Sequence, residues 1–257
     1  MGSMATATAI IDNEQSVKTV ASADAGCLEV YVSEGADPAA DLAFEEALLD
    51  SCPPDTVRLS VYHWDKPVLV LGRGQSNFEV LGEVCDAEGI PVLRRRSGGT
   101  AVLHENTLNF ALILPPEHPW ASRIEGLYEQ FVGVVGRALN KENIPVRPPL
   151  PGETVRGRRS TVCFENDAGE TLLLHRKKVF GCAQRRRKRA VLVHGALLLK
   201  LDVSMHGRVF GVPQTHVSAV MTHLPACRPT DLTAAVVREA ALALNCLPVW
   251  KEVKHDS

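Results

Sequence analysis

Four apolar runs constrain the fold of this 257-residue chain more than any other feature: VRLSVYHW (57–64), PVLVLG (67–72), LNFALIL (108–114) and AVLVHGALLLKL (190–201). Each is rich in Val, Leu or Ile and bounded by Gly, Pro or polar residues, so each reads as a β-strand with little exposed surface. LEVYV (28–32), PVLRR (91–95), TAVLH (100–104) and LPVWKEV (247–253) extend the set, and TLLLHRKKVFGCAQ (171–184) reads as a hairpin turning near His175–Lys177. Helical spacing marks Asp37–Asp50 (apolar at Leu42, Phe44, Leu48 and Leu49) and Asn77–Glu88, stopped by Gly89. It also marks Ser122–Asn143, with Ile124, Leu127, Phe131, Val134 and Leu139 on one side, and a last helix after Pro229, capped by Thr230 or Asp231, to Leu244. Strands in neighbouring groups with helices interspersed predict an α+β fold with mixed or antiparallel sheets flanked by helices. Residues 1–26 read as a flexible N-terminus and 27–257 as one domain without repeat or internal linker.

The formal charge is only −2, but it is unevenly placed. Between Arg156 and Arg189 eleven basic residues face three acidic ones (Glu165, Asp167, Glu170), a local +8 that leaves −10 for the rest. Near-neutrality with 45% hydrophobic residues excludes wholesale disorder and a uniformly basic nucleic-acid binder. No apolar run reaches the roughly 18–20 residues of a membrane span. The first 25 residues lack a charged n-region and a long apolar core, so no secretory signal is read; they also lack Arg, which counts against a transit peptide without excluding organelle targeting. Seven cysteines (27, 52, 85, 163, 182, 227, 246) without a C-x-x-C pair suit a reducing compartment, by default the cytoplasm, and suggest no metal site.

Three segments could carry chemistry. Arg94-Arg95-Arg96-Ser97-Gly98-Gly99-Thr100-Ala101 brings three guanidiniums to a Ser-Gly-Gly turn, where backbone N–H groups and arginine forks suit a phosphate or carboxylate; the alternative is a tight turn with solvated arginines. It is not a P-loop, because G-x-x-x-x-G-K-[ST] occurs nowhere. In Lys177-Lys178-Val179-Phe180-Gly181-Cys182-Ala183-Gln184-Arg185, strand alternation puts Lys178 on one face with Phe180, Cys182 and Gln184, either as a cation for developing negative charge or as an edge-strand lysine. His194, inside the last strong strand, reads more simply as a satisfied core residue than as a catalyst. The run Arg185–Arg189 reads as an exposed loop or as a docking surface for an acidic protein or phosphate. With aromatics at 5% of the chain and none in 185–194, base stacking is poorly supported.

Together these segments resemble the lipoate–protein ligase A and octanoyltransferase family of the biotin/lipoate protein ligase superfamily. The R-R-x-S-G-G-G-A-V-x-H-D motif is matched by Arg94 to Glu105 and its N-L-N-[FY] continuation by Thr107-Leu108-Asn109-Phe110. The G-R-x-Q strand end is matched by Gly72-Arg73-Gly74-Gln75. The R-K-[IV]-x-G-S-A-Q-R hairpin is matched by Lys177 to Arg185, and H-G follows at His194-Gly195, sixteen residues after Lys178. The resemblance implies a class II synthetase-like catalytic domain that attaches a lipoyl or octanoyl group to a carrier-domain lysine. On its ligase side, ATP with Mg²⁺ would activate lipoate or octanoate as an acyl-adenylate. Arg73, Arg95, Ser97, Gly98, Gly99, Thr100, Ala101, His104, Asn109, Gly181, Cys182, Ala183, Arg185 and His194 would line the adenylate and acyl pocket, with Lys178 on the carbonyl and phosphate oxygens.

Three departures weaken a simple ligase assignment: Thr100 stands where the family has a third glycine, Cys182 stands where it has Ser and reads as a packing replacement, and the chain leaves no room for a full C-terminal accessory domain unless a separate subunit supplies it. Cys163-Phe164, fifteen residues before Lys178, resembles the C-F pair of octanoyltransferases that carry the acyl group as a thioester, without ATP. Arg158, Arg159 and Lys178 near it in sequence would favour the thiolate; the alternative is an inert small residue. The ligase is the primary expectation, the cysteine transferase its competitor, and a non-catalytic member a distant third. The partners implied are lipoyl-carrier domains (glycine cleavage H protein or the lipoyl domain of a 2-oxoacid dehydrogenase acyltransferase subunit) and an acyl carrier protein.

Overall fold

The computed structural model describes residues 26–33, 37–75, 78–150, 153 and 170–253. The apolar runs form strands, and their alternation decides which helices cover them. β1 (Gly26–Ser33), β2 (Thr56–Trp64), β6 (Asn106–Leu114), β7 (Val146–Arg147), β8 (Thr171–Leu174), β9 (Lys177–Arg186), β10 (Val191–Lys200) and β11 (Cys246–Lys251) form one mixed sheet in the order β11-β1-β2-β6-β10-β9-β8-β7. β1 runs parallel to β2 and β11, and the remaining pairs are antiparallel. On β6, Phe110, Leu112 and Leu114 join an apolar cluster with Leu127, Phe131 and Val135 of α3 (Ile124–Lys141) and Leu232 and Val236 of α6 (Pro229–Leu244). Ala111 and Ile113 point the other way, into a cluster with Leu48 and Leu49 of α1 (Pro38–Asp50). Each such buried Leu or Phe contributes roughly 1.5–3 kcal/mol, so a two-sided strand is held from both faces.

A second sheet, β4-β3-β5, consists of β3 (Val68–Leu71), β4 (Val92–Arg94) and β5 (Val102–His104). With α2 (Phe78–Glu88), α4 (Val203–Phe210) and α5 (Gln214–Val220) it supplies residues to its own core, including Leu69, Leu103, Phe210 and Val217. The predicted α+β class and all the predicted strands are present. Gly89 ends α2 with φ +67°, and the β8–β9 hairpin turns on His175 and Arg176, both at positive φ (50° and 65°), as a two-residue hairpin of right-handed twist requires.

Several expectations change. α6 is capped at Arg228 with Pro229 first in the helix, not at Thr230 or Asp231, because proline's fixed φ suits the first helical position. Ile124 is 51% exposed, as it opens the first turn of α3 before the helix reaches the sheet. α4 and α5, of 8 and 7 residues, are too short for a periodic signal. β11 begins at Cys246. Residues 1–25 and Cys163 lie outside the described residues.

Candidate active site

β3 ends at Leu71, Gly72 follows it, and the chain re-enters the same region through the Ser-Gly-Gly turn. A Cβ on Gly72 would fall 1.8 Å from the Gly99 carbonyl oxygen, so the two backbones touch only because position 72 has no side chain. Gly99 itself sits at φ +89°, and a Cβ there would meet Arg95 Nη2 at 2.8 Å. Arg95, 7% exposed, is the staple of the turn. Its Nε donates to Ser97 Oγ at 3.0 Å, Nη1 to the Val70 carbonyl at 3.3 Å, and Nη2 to the carbonyls of Gly98 and Thr100 at 2.8 and 2.9 Å. Arg94 does similar work one residue earlier, donating to the carbonyls of Gly72 and Gln75 at 2.8 and 3.1 Å. The Arg73 amide donates to the Ser97 carbonyl at 2.9 Å, while its side chain is exposed.

From the turn a line of buried polar groups runs to α1. Ser97 Oγ lies 2.7 Å from His194 Nε2, His194 Nδ1 lies 2.8 Å from Glu45 Oε2, and the Tyr62 hydroxyl donates to Glu45 Oε1 at 2.5 Å. One turn earlier on α1, Asp41 accepts from Trp64 Nε1 at 2.8 Å. Burial, and then the Glu45 carboxylate, push the Tyr62 phenol well above its ordinary range, so it remains a donor. His104 packs edge-on against Trp64 and shares a hydrogen bond with Thr107 Oγ1 at 3.0 Å through Nδ1. Burial and then the Arg95 charge lower its pKa to about 3, which keeps it neutral. Asn109 Nδ2 is anchored to Thr107 Oγ1 and to the Tyr62 carbonyl, at 3.2 and 3.4 Å.

These side chains floor an apolar cleft, lined by Leu42, Trp64, Val70 and Val102 on one side and by the β9–β10 pair at Gly181, Ala183, His194 and Ala196 on the other. It encloses about 490 Å³ of unfilled space, part of it open to solvent. Lys178 is brought against Gly181, on the wall of the cleft, by an irregularity that strand alternation did not predict. Leu172 pairs with Phe180 and Leu173 with Lys178, so Val179 is an extra residue in β9. The bulge turns Lys178 away from the Phe180 face and onto that of Gly181, where a Cβ would lie 2.8 Å from its Cε and 3.2 Å from its Nζ. Glu170 is coupled to it: burial raises the carboxyl's pKa while the Lys178 charge opposes the rise.

The predicted residues therefore divide. Arg95, His104, Asn109, Gly181, Cys182, Ala183 and His194 line the cleft. Ser97, Gly98, Gly99 and Thr100 form the turn behind it, and Ala101 is buried in the core of the smaller sheet. Arg185 is held by Glu46, both of whose oxygens lie 3.0 Å from its Nη1. His194 is more than a satisfied core residue, since it joins the turn to α1 and faces the cleft. Glu45, Asp41, Tyr62 and Trp64 were not predicted. The available signal was a pair of acids four residues apart in phase with buried Leu48 and Leu49. Among the described residues no group of three His, Cys, Asp or Glu is placed to hold a metal ion.

A mixed sheet flanked by helices is also the fold of solved lipoate ligases. Lipoate-protein ligase A bound with ATP superposes with a TM-score of 0.73 at 22% identity, covering 90% of each chain. The bi-partite lipoate protein ligase from Thermoplasma acidophilum, studied with its E2 lipoyl domain, does so at 0.70 and 20%, covering 90% of this chain and 88% of that one. At those identities the likeness is one of fold alone. The model of the lipoyl protein ligase A/B catalytic domain matches residues 37–243, and the chain belongs to that family. Octanoyltransferase LipM of Brevibacillus brevis is 30% identical over 201 residues, 74% of this chain and 72% of the relative. LipM of Geobacillus kaustophilus is 33% identical over 197 residues, 70% and 68% respectively.

Proposed function

We propose that this protein moves an octanoyl-type acyl group from an acyl-carrier thioester to a lysine of a lipoyl-carrier domain, through a thioester on Cys163 and without ATP. The observation that carries this choice over ligation is where the arginine donors go. Arg94 and Arg95 are hydrogen-bonded to the chain's own carbonyls and Arg185 to Glu46, so of the arginines expected around a nucleotide these three are already engaged, while the Arg73 side chain is exposed. These residues fit ATP and its Mg²⁺ poorly. The likeness to octanoyltransferases at 30–33% identity supports the same reading, against the primary expectation from the motifs.

In this reading the apolar wall of Leu42, Trp64, Val70 and Val102 takes the acyl chain, and desolvation there holds it in an extended pose. Lys178, on the Gly181 face, supplies positive charge to the thioester oxygen as the tetrahedral intermediate forms. The carrier domain is a glycine cleavage H protein or a 2-oxoacid dehydrogenase lipoyl domain, and a reducing compartment such as the cytoplasm keeps the thiol available. No helix among the described residues is long and apolar enough to cross a membrane.

Intact-mass measurement tests the reading. Wild type incubated with octanoyl-acyl carrier protein acquires one hydroxylamine-sensitive octanoyl group, Cys163→Ser acquires none, and Lys178→Ala transfers on the order of 10²–10³-fold more slowly. Transfer by Cys163→Ser at the wild-type rate, or transfer that requires octanoate and ATP, overturns it in favour of ligation.

A further inference from the structure

An acyl chain lying in the apolar cleft is joined to an arm that has to leave it, and the cleft has a polar neighbour. A groove with about 840 Å³ of unfilled space, part of it open to solvent, runs between α1 and Arg94–Arg96. Leu42, Arg95 and His194 line both, so the groove and the cleft adjoin at those residues. Ala39 and Ala43, exposed and one turn apart on α1, give the groove a wall of small side chains, and Leu93 of β4 lines it as well. Of the five charged residues that line it, four are already matched. Glu45 meets His194 and Tyr62, Glu46 meets Arg185 and Arg187, and Arg94 and Arg95 donate to backbone carbonyls. Arg96 is the fifth; it is exposed, and it has no partner among the described residues. The groove therefore offers one unmatched positive charge beside an apolar site. A lysine arriving from a lipoyl domain brings a cation and is disfavoured there. A phosphodiester brings a single negative charge and two free oxygens, the pair that a guanidinium fork meets.

We propose that this groove holds the phosphopantetheine arm of the acyl carrier protein, with the Arg96 guanidinium on its phosphodiester and the acylated end of the arm entering the cleft past Leu42. The proposal rests on the acyl-transfer reading above. The arm lies along the small side chains of Ala39 and Ala43, where a larger residue would fill the space it needs. The cleft then selects a donor by its acyl chain and the groove selects it by its phosphate. Coenzyme A carries the same arm, but its two further phosphates find no second unmatched guanidinium in the groove, so a carrier protein is the better donor.

Two thioesters that differ only in the phosphate test this, with loading of the enzyme followed by intact mass. Wild type at limiting donor is expected to load from octanoyl-phosphopantetheine on the order of tenfold faster than from octanoyl-pantetheine, the scale of one hydrogen bond to a charged group. In Arg96→Ala that preference disappears, and Arg96→Lys keeps part of it as a point charge. With octanoyl-acyl carrier protein, the loss in Arg96→Ala is on the order of tenfold and falls in the Michaelis constant rather than in kcat. Ala43→Trp changes an exposed helical position and removes no hydrogen bond; it slows loading from the acyl carrier protein more than loading from octanoyl-N-acetylcysteamine, whose arm is too short to fill the groove. Wild type indifferent to the phosphate, an Arg96→Ala enzyme that keeps the preference, or equal losses on the long and short donors in Ala43→Trp overturns the groove assignment alone. Octanoyl-coenzyme A as a better donor than the acyl carrier protein overturns the carrier as the source of the arm. Wild type that loads from none of these thioesters overturns the acyl-transfer reading, and the groove assignment with it.

Discussion

Two arginine-rich segments of this protein, alike in sequence, are used in opposite ways. At Arg94–Arg96 the first two guanidiniums turn inward onto carbonyl oxygens and build the Ser-Gly-Gly turn. At Arg185–Arg187 two of the three turn to the acids of α1: Arg185 and Arg187 to Glu46, and Arg187 also to Asp50. Part of the local +8 is therefore neutralised within the fold, and the exposed remainder includes Lys188 and Arg189. An arginine whose donors replace water at buried carbonyls fixes backbone geometry, whereas one paired with a half-exposed carboxylate mainly balances charge. Charge counting along the chain cannot tell the two apart, because the distinction lies in what surrounds the head group.

The inward segment carries the largest effect expected of this contrast. Arg95→Ala would leave the carbonyls of Val70, Gly98 and Thr100 and the Ser97 hydroxyl without their shared donor in a buried site. A loss of more than about 3 kcal/mol is expected, with Tm lower by on the order of 10 °C. Arg95→Lys should recover little, since one ammonium cannot span acceptors set out for a fork. Thermal unfolding checks both variants, and a Tm for Arg95→Ala within about 2 °C of wild type would erase the difference between the segments.

The same contrast bears on how much could be read before the fold was known. The strands were legible because their signal is local: Phe110, Leu112 and Leu114 alternate with Ala111 and Ile113 whatever lies elsewhere. The turn was legible as a motif, but its arginines pointed to a bound oxyanion, whereas their acceptors are carbonyls brought together by β3 and the turn. Glu45 and Asp41 were lost for the opposite reason. On the helix they share the phase of Leu48 and Leu49, but nothing local says what meets a carboxylate there, and the partners that bury them are 17, 149 and 23 residues away. Lys178 was found but placed on the wrong face, because one extra residue in β9 reverses the alternation and leaves no mark in composition.

A buried charge should be felt by its neighbours, and His104 reports on this. Its pKa of about 3 is caused first by burial and then by Arg95, whereas an unfolded histidine titrates near 6.5. Between those values the unfolded chain binds a proton that the folded one does not, so stability is intact above about pH 6.5 and lost as the pH falls toward 3. The slope approaches about 1.4 kcal/mol per pH unit. His104→Gln should flatten the acid limb of a urea-midpoint profile relative to wild type. If the two profiles remain parallel from about pH 7 to about pH 4.5, the inward charge has no such reach.

The outward segment supplies the smallest effect and the control. Arg187 donates to Glu46 Oε2 at 2.8 Å and to Asp50, with about a third of its side chain exposed. Pairs of that kind contribute roughly 0.2–1 kcal/mol and weaken with salt. Arg187→Ala is therefore expected to lower stability by less than about 1 kcal/mol, and by a difference that shrinks further in about 1 M salt. Glu46 keeps Arg185 at 3.0 Å, and Asp50, with 55% of its side chain exposed, is left to solvent. Denaturant titrations at low and high salt measure this directly. A loss as large as that of Arg95→Ala, or one indifferent to salt, would mean that the second segment also organises backbone, and that the contrast rests on exposure rather than on the acceptor.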